Sequence, residues 1–214
     1  MRFLYTIFFL LITLSIAAQK ASTLKEVLKT TAEISIKDSI LINYLSLKKT
    51  ALDKPTAESF FKLIYPNEKQ ADQKAKYFVA GKITSHNDFD ILLLCTEKIV
   101  KDLSEVGSSY QSFNYRELHF VLLDKEGNYK NDFLGAMNYE TVNFLQKDRR
   151  TKRKISSWIY KDFKIIQQIE AEIRTANLTI SPSVKEETKT LNFSMEYHIN
   201  DYGVFVAYPK YNSD

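Results

Sequence analysis

Between Glu187 and Asn200 the chain alternates strictly. Leu191, Phe193, Met195, Tyr197 and Ile199 fall on one side of an extended backbone, and Asn192, Ser194, Glu196, His198 and Asn200 on the other. A period of two is incompatible with a helix's apolar stripe and requires a strand with one buried face. Asn200-Asp201-Tyr202-Gly203 has turn chemistry, so Val204 to Tyr208 reads as a closing strand. The same texture begins at Tyr77. Tyr77–Thr84 reads as a strand, Ser85–Asp88 as a turn, and Phe89–Cys95 as a central strand apolar on both faces. Lys101–Asn114 is polar and expected as a loop. Tyr115–Asp124 follows as a strand, Lys125-Glu126-Gly127-Asn128 as a hairpin turn, and Tyr129–Met137 as its return. Ile155–Ile173 admits two readings. Ile165, Ile166, Ile169 and Ile173 suit a helix, whereas alternation about a turn at Lys161-Asp162 suits a hairpin. The flanking strands favour the hairpin.

The first third of the chain reads differently. Thr23 to Glu26 fits a capping box, followed by Leu24, Val27, Leu28 and Ala32 at helical spacing. A second helical stretch is expected from Ile40 to Leu47, capped by Asp38-Ser39. A third is expected over Pro55–Ile64, with Asp53 ahead of it and Pro66 behind. Asn67–Lys76 is polar and reads as a linker. The expectation is therefore an α+β fold, N-terminal helices followed by a mainly antiparallel, hairpin-linked sheet, with residues 19–76 packing on residues 77–214 as one domain.

Residues 1–18 carry a separate message. Met1-Arg2 gives a positive start, Phe3–Ile16 an apolar run, and Ala17-Ala18 small residues before Gln19. This is the three-part layout of a secretory signal peptide. The run is shorter than the roughly 20 apolar residues that span a bilayer. Export to the periplasm or the medium is expected, with no transmembrane segment left after cleavage. Arg2 leaves with the leader, taking the formal net charge from +4 to +3. So mild a charge does not mark a nucleic-acid binder. The single cysteine, Cys95, excludes an internal disulfide and a cysteine-based zinc site. It shares a strand side with Ile91 and Leu93 and reads as a buried thiol.

The motifs that carry chemistry are sparse. Lys147-Asp148-Arg149-Arg150-Thr151-Lys152-Arg153-Lys154 is the densest charge cluster. Lys147, Arg149, Arg150, Lys152, Arg153 and Lys154 could hold an anionic lipid or polyanion, or form a solvated loop between strands. His119 alternates with Glu117, and His198 with Glu196. If the two pairs converged they would make an acid–base site for a small hydrolase; otherwise each is the wet face of a strand. His86 with Asp88 and Asp90 could ligate a metal, but these are also ordinary turn residues. There is no nucleophile elbow, metalloprotease motif or phosphate-cradling loop, so no catalytic residue, metal or cofactor is assigned. Of the thirteen tyrosines, Tyr77, Tyr110, Tyr115, Tyr129, Tyr139, Tyr197, Tyr202, Tyr208 and Tyr211 could line a ligand groove or fill the core.

The leader MRFLYTIFFLLITLSIAAQK resembles signal peptides of Bacteroidota, where cleavage before Gln is common. The AGKI-turn-FDILLL segment, the LLDKEGN hairpin, the WIYKDFKI turn and the INDYGVFV hairpin are similar to those of small exported proteins of that phylum. The resemblance implies no named activity. Within that group Asp38-Ser39-Ile40 also resembles an O-glycan attachment motif. The expectation that follows is an exported, non-enzymatic binding protein of the bacterial envelope, whose partner is a protein or an envelope glycan or lipid.

Overall fold

The computed structural model describes residues 26–65, 75–84, 88–103, 110–145, 147–177 and 187–209. They form a ten-stranded, mainly antiparallel sheet and one long helix. The strands are β1 (Ser39–Ile42), β2 (Thr50–Ala51), β3 (Lys76–Thr84), β4 (Phe89–Leu103), β5 (Tyr110–Asp124), β6 (Tyr129–Leu145), β7 (Lys147–Tyr160), β8 (Ile165–Asn177), β9 (Glu187–Ile199) and β10 (Phe205–Pro209). From β2 to β10 each strand pairs with its sequence neighbours, a meander of hairpins. Helix α1 (Lys54–Ile64) lies between β2 and β3.

The β-rich part matches the alternation pattern, but three expectations need correction. Ile40–Leu47 is not helical: Ser39–Ile42 is β1, followed by a turn at 44–46. Its branched side chains are better spent on an edge that needs a partner than on a short isolated helix. The Lys101–Asn114 loop is mostly strand, because β4 runs on to Leu103 and β5 already starts at Tyr110. The solvated loop weighed for Lys147–Lys154 is also strand: β6 extends to Leu145 and the basic segment is β7 itself. Ladder hydrogen bonds to both neighbours override the polarity of these side chains. Ile155–Ile173 is a hairpin, turning at 161–164. Of the first expected helix, residues 26–32 are described; 26–30 are helical and 31–32 are not. The Ser85–Asn87 turn and most of the 67–76 linker lie outside the described residues.

The sheet forks. β6 and β7 pair from Met137↔Ile155 outward to Leu145↔Lys147. On the other side of that point β1 takes the place of β6 along β7, from Ile42↔Ser157 to Ser39↔Tyr160. The first half of β6 stays with β5, while the second half of β7 departs with β1, β8, β9 and β10. Two layers result, and their facing sides enclose the main core. Ile83, Ile91, Leu93, Cys95, Leu118, Phe120 and Leu122 come from one layer, and Ile42, Ile159, Ile165 and partly buried Tyr197, Ile199 and Phe205 from the other. Phe133 of β6 joins them, stacked on Tyr197 at 4.6 Å and edge-on to Phe205 at 4.5 Å.

The fork strips β6 of its β7 partner where its carbonyls are already buried. Two side chains repair this. Ser157 Oγ donates to the Gly135 carbonyl, and Gln167 Nε2 donates to the Leu134 carbonyl at 2.7 Å. Both are buried, as buried hydrogen-bonding groups require. A β-bulge between Leu118 and His119 sits opposite Gly135. A Cβ at Gly135 would strike the ring of Phe120, so the bulge needs glycine there.

The outer face of β3, β4 and β5 is covered by α1. Asp53 caps the helix, its Oδ1 accepting from Thr56 N–H at 2.9 Å. Ala57, Phe60, Phe61 and Ile64 recur at helical spacing. Phe60 packs into a second core of Val79, Leu92, Leu94, Val121 and Leu123. Far from the fork, the outer halves of β6, β7, β8 and β9 continue as a single layer.

Candidate functional site

Alternation on β5 sends Tyr115, Glu117, His119, Val121 and Leu123 to the helix-covered side. Register shifts at Gly135 and between Leu122 and Leu123 set the parity of the β6 stretch between them, where Leu134 lies opposite His119 and Asp132 opposite Val121. Asp132 is thereby the diagonal neighbour of His119. The end of α1 delivers Tyr65. The result is a closed polar cluster. His119 Nδ1 lies 3.1 Å from Asp132 Oδ2, and its Nε2 lies 3.0 Å from Tyr65 Oη and 3.4 Å from Glu117 Oε2. Tyr65 donates to Glu117 Oε2 at 3.0 Å, Tyr115 donates to Glu117 Oε1, and Tyr129 donates to Asp132 Oδ1 at 2.6 Å.

The electrostatics follow from this geometry. Burial alone would push His119 down, but hydrogen bonds to Asp132 and Glu117, and their charges, outweigh it and carry its pKa up to about 9. Burial would raise Glu117, yet hydrogen bonds from His119 and Tyr115, the imidazolium charge and the Tyr65 bond hold it below the usual glutamate value. Burial, reinforced by the negative Glu117, raises Tyr65. His119 is thus a cation between two carboxylates. A charged imidazole cannot take a proton from Tyr65, and a tyrosine beside a carboxylate is not poised to ionise. The adjoining crevice of about 10 Å³, lined by Leu52, Phe60, Phe61 and Tyr65 among others, has no room for a substrate. The cluster reads as a clasp between α1 and the sheet.

His119 and Glu117 are therefore buried, not on the wet face of a strand. His198 and Glu196 do form a pair, Nε2 to Oε1 at 2.8 Å, with Tyr208 edge-on at 5.2 Å. They occupy the outward side of β9, whose other side carries Tyr197 and Ile199 into the main core. The two His/Glu pairs lie on opposite exteriors of the layered region and do not converge. His86 is outside the described residues, and Asp90 pairs with Lys125 at 2.8 Å. Among the described residues no group of three His, Cys, Asp or Glu could hold a metal. Cys95 is buried, and burial pushes its thiol up to about 12.

The basic segment is dispersed by the strand period. Alternation places Arg150, Lys152 and Lys154 on one side of β7 and Arg153 on the other. The side chains of Lys147 and Arg149 lie outside the described residues. Each described lysine meets an acid: Lys152 is 3.6 Å from Glu140 on β6, and Lys154 is 3.7 Å from Glu170 on β8. Arg174 reaches Glu172 at 2.6 Å. Ladder partners on this face run Asn138–Lys154–Glu170–Asn192 and Glu140–Lys152–Glu172–Thr190. Together they line an open groove of about 720 Å³ that also takes in Gln168 and Ser194.

Sequence reasoning missed Tyr65 and Asp132. Tyr65 is separated from His119 by the whole of β3 and β4, and the parity of Asp132 depends on two register shifts. The one local signal was Gly135 inside an otherwise branched and aromatic strand. Among the described residues no helix is long and apolar enough to cross a membrane. Comparison with protein-family models, curated proteins and solved structures gave no match.

Proposed function

We propose that this is an exported, non-enzymatic binding protein of the bacterial envelope, which presents the groove on the outer half of β6–β9 to an envelope glycan. The observation that carries the reading is a contrast. Among the described residues, the buried set of titratable groups around His119 is sealed by Tyr65 and Tyr115, while the large concavity is open and lined by amides, hydroxyls and half-exposed charged groups. Side-chain amides and carboxylates that share a rung offer paired donors and acceptors, which suit the vicinal hydroxyls of a sugar. The leader-like residues 1–18 support export. Calorimetric titration with fragments of surface polysaccharide tests this. Binding is expected for the native protein and a loss of at least tenfold for Glu170→Ala combined with Asn192→Ala. Equal binding by that variant, or no binding of any fragment, rejects the reading.

One observation favours a second reading, in which the basic strand takes an anionic lipid or polyanion. The strand period sets Arg150, Lys152 and Lys154 in a row on the groove face of β7, with Arg174 beside Arg150 on β8, a line of cations that suits an anionic chain. Neutralising Arg149, Arg150, Lys152 and Arg153 should then abolish retention on anionic vesicles or heparin. Unchanged retention rejects it.

A further inference from the structure

The two flanks of the sheet are finished differently. The outer edge of β3 is closed by β2 and by residues 32–34, with Ile34 N–H donating to the Lys82 carbonyl at 2.8 Å and Lys82 N–H to the Ala32 carbonyl at 2.9 Å. At the opposite flank β10 covers only Met195–Ile199 of β9. Among the described residues, Glu187–Ser194 of β9 pairs with β8 alone. Among the described residues no strand covers this edge, and of the devices that normally keep edges apart it carries only the charges of Glu187 and Lys189. It has no proline or bulge, it is seven or eight residues long, and Lys189 is the only charge between Thr188 and Met195. Residues 188–193 are exposed, including Leu191 at 58% and Phe193 at 42%. An exposed edge of this length, with Leu191 and Phe193 on one face, is a ready template for another strand.

We propose that the edge of β9 pairs antiparallel with β9 of a second copy, the twofold axis passing through Leu191 perpendicular to the sheet. The axis follows from parity and extent. A continuous sheet keeps each face on its own side, so odd residues must meet odd residues. Centring on Leu191 uses the whole stretch from Thr188 to Ser194. Every partner set is then compatible. Leu191 meets its own copy, Lys189 lies beside the ring of Phe193, Thr190 meets Asn192, and Thr188 meets Ser194. Aliphatic, cation–aromatic and hydroxyl–amide pairs across strands each favour the ladder, and no like charges stand opposite. The apolar rung Met137–Ile155–Ile169–Phe193 ends on the aliphatic stem of Lys189 of the second copy, and the Ala171–Leu191 rung continues into Leu191 of that copy. On the other face, the groove ends at Thr190, Asn192 and Ser194, the rim at which the second copy would supply a facing wall. The inference is independent of what the groove binds.

Light scattering of the full chain, expressed with its own N-terminal segment and purified as the cell processes it, should give twice the monomer mass. Leu191→Lys sets two ammonium groups on the axis and should give a monomer with unchanged circular dichroism. Leu191→Cys, treated with oxidised glutathione, should give an intermolecular disulfide, because opposed residues lie about 4.5–5.5 Å apart at Cα. Asn192→Cys, which faces Thr190 and not itself, should remain uncrosslinked. A native monomer at the highest attainable concentration, a dimer that persists in Leu191→Lys, or crosslinking of Asn192→Cys in place of Leu191→Cys would each overturn the proposal.

Discussion

His119 Nδ1 and Asp132 Oδ2 meet at 3.1 Å across the β5–β6 ladder, diagonal neighbours in a stretch whose parity is set by two register shifts, one at Gly135 and one between Leu122 and Leu123. With Glu117 on its other nitrogen, the imidazole is a buried cation, and this makes the fold pH-dependent in a definite direction. The folded pKa of His119 is raised from 6.5 to about 9. Its contribution is therefore full below about 6.5 and is lost as pH climbs through 9. That of Glu117, whose pKa is lowered, is present above 4.5 and lost as pH falls through its depressed value. Denaturant midpoints should plateau between those limits and decline on the alkaline side, by an amount on the order of 3 kcal/mol. An NMR titration in which the imidazole deprotonates near the usual value would refute the clasp.

The same substitution at two tyrosines should act in opposite senses. Tyr65→Phe removes a hydroxyl bonded to Glu117 and His119 and should cost about 1–3 kcal/mol, leaving buried charged groups short of a partner. Tyr44 is almost fully buried, and its hydroxyl has no partner among the described residues. Tyr44→Phe should be neutral or stabilising by up to about 1 kcal/mol. Urea unfolding of the two variants beside the native protein gives both values.

At the fork, Ser157→Ala and Gln167→Leu each leave a buried carbonyl unsatisfied. Each should cost about 1–3 kcal/mol. Because Leu134 and Gly135 are adjacent, the double variant should depart from additivity by about 0.5 kcal/mol or more. A double-mutant cycle by chemical denaturation measures this. A strictly additive pair would mean that the two bonds do not act together to hold the layers apart.

Phe163 sits at φ 62° in the β7–β8 turn while its ring is buried in the main core. Truncation should be costly, about 3–5 kcal/mol for Phe163→Ala. Glycine accepts the left-handed backbone that alanine resists, so Phe163→Gly should be more stable than Phe163→Ala by about 1 kcal/mol, the reverse of the usual order. Thermal melts of the pair decide it.

Much of the sheet was legible because its information is local. Period-two alternation at Glu187–Asn200, the turn chemistry of Lys125–Asn128 and the apolar run Phe89–Cys95 each specify a strand or its end without reference to anything distant. The α1 helix was equally readable, since Asp53 and Pro55 fix its start and Phe60, Phe61 and Ile64 its buried side. Ser39–Ile42 and the basic strand were misread for one reason: their conformation is set by partners supplied elsewhere in the chain, β7 for the first and β6 and β8 for the second.

The amino-acid order alone thus determined that extended segments would dominate and which side of each would be apolar, because steric alternation is a property of neighbouring residues. Only the tertiary structure decided that β6 and β7 part company, that His119 is enclosed while His198 is not, and that the long outer half of the sheet stays open. Those outcomes depend on the register shifts of one ladder and on where a helix ends, contacts between residues dozens of positions apart whose energies no local pattern records.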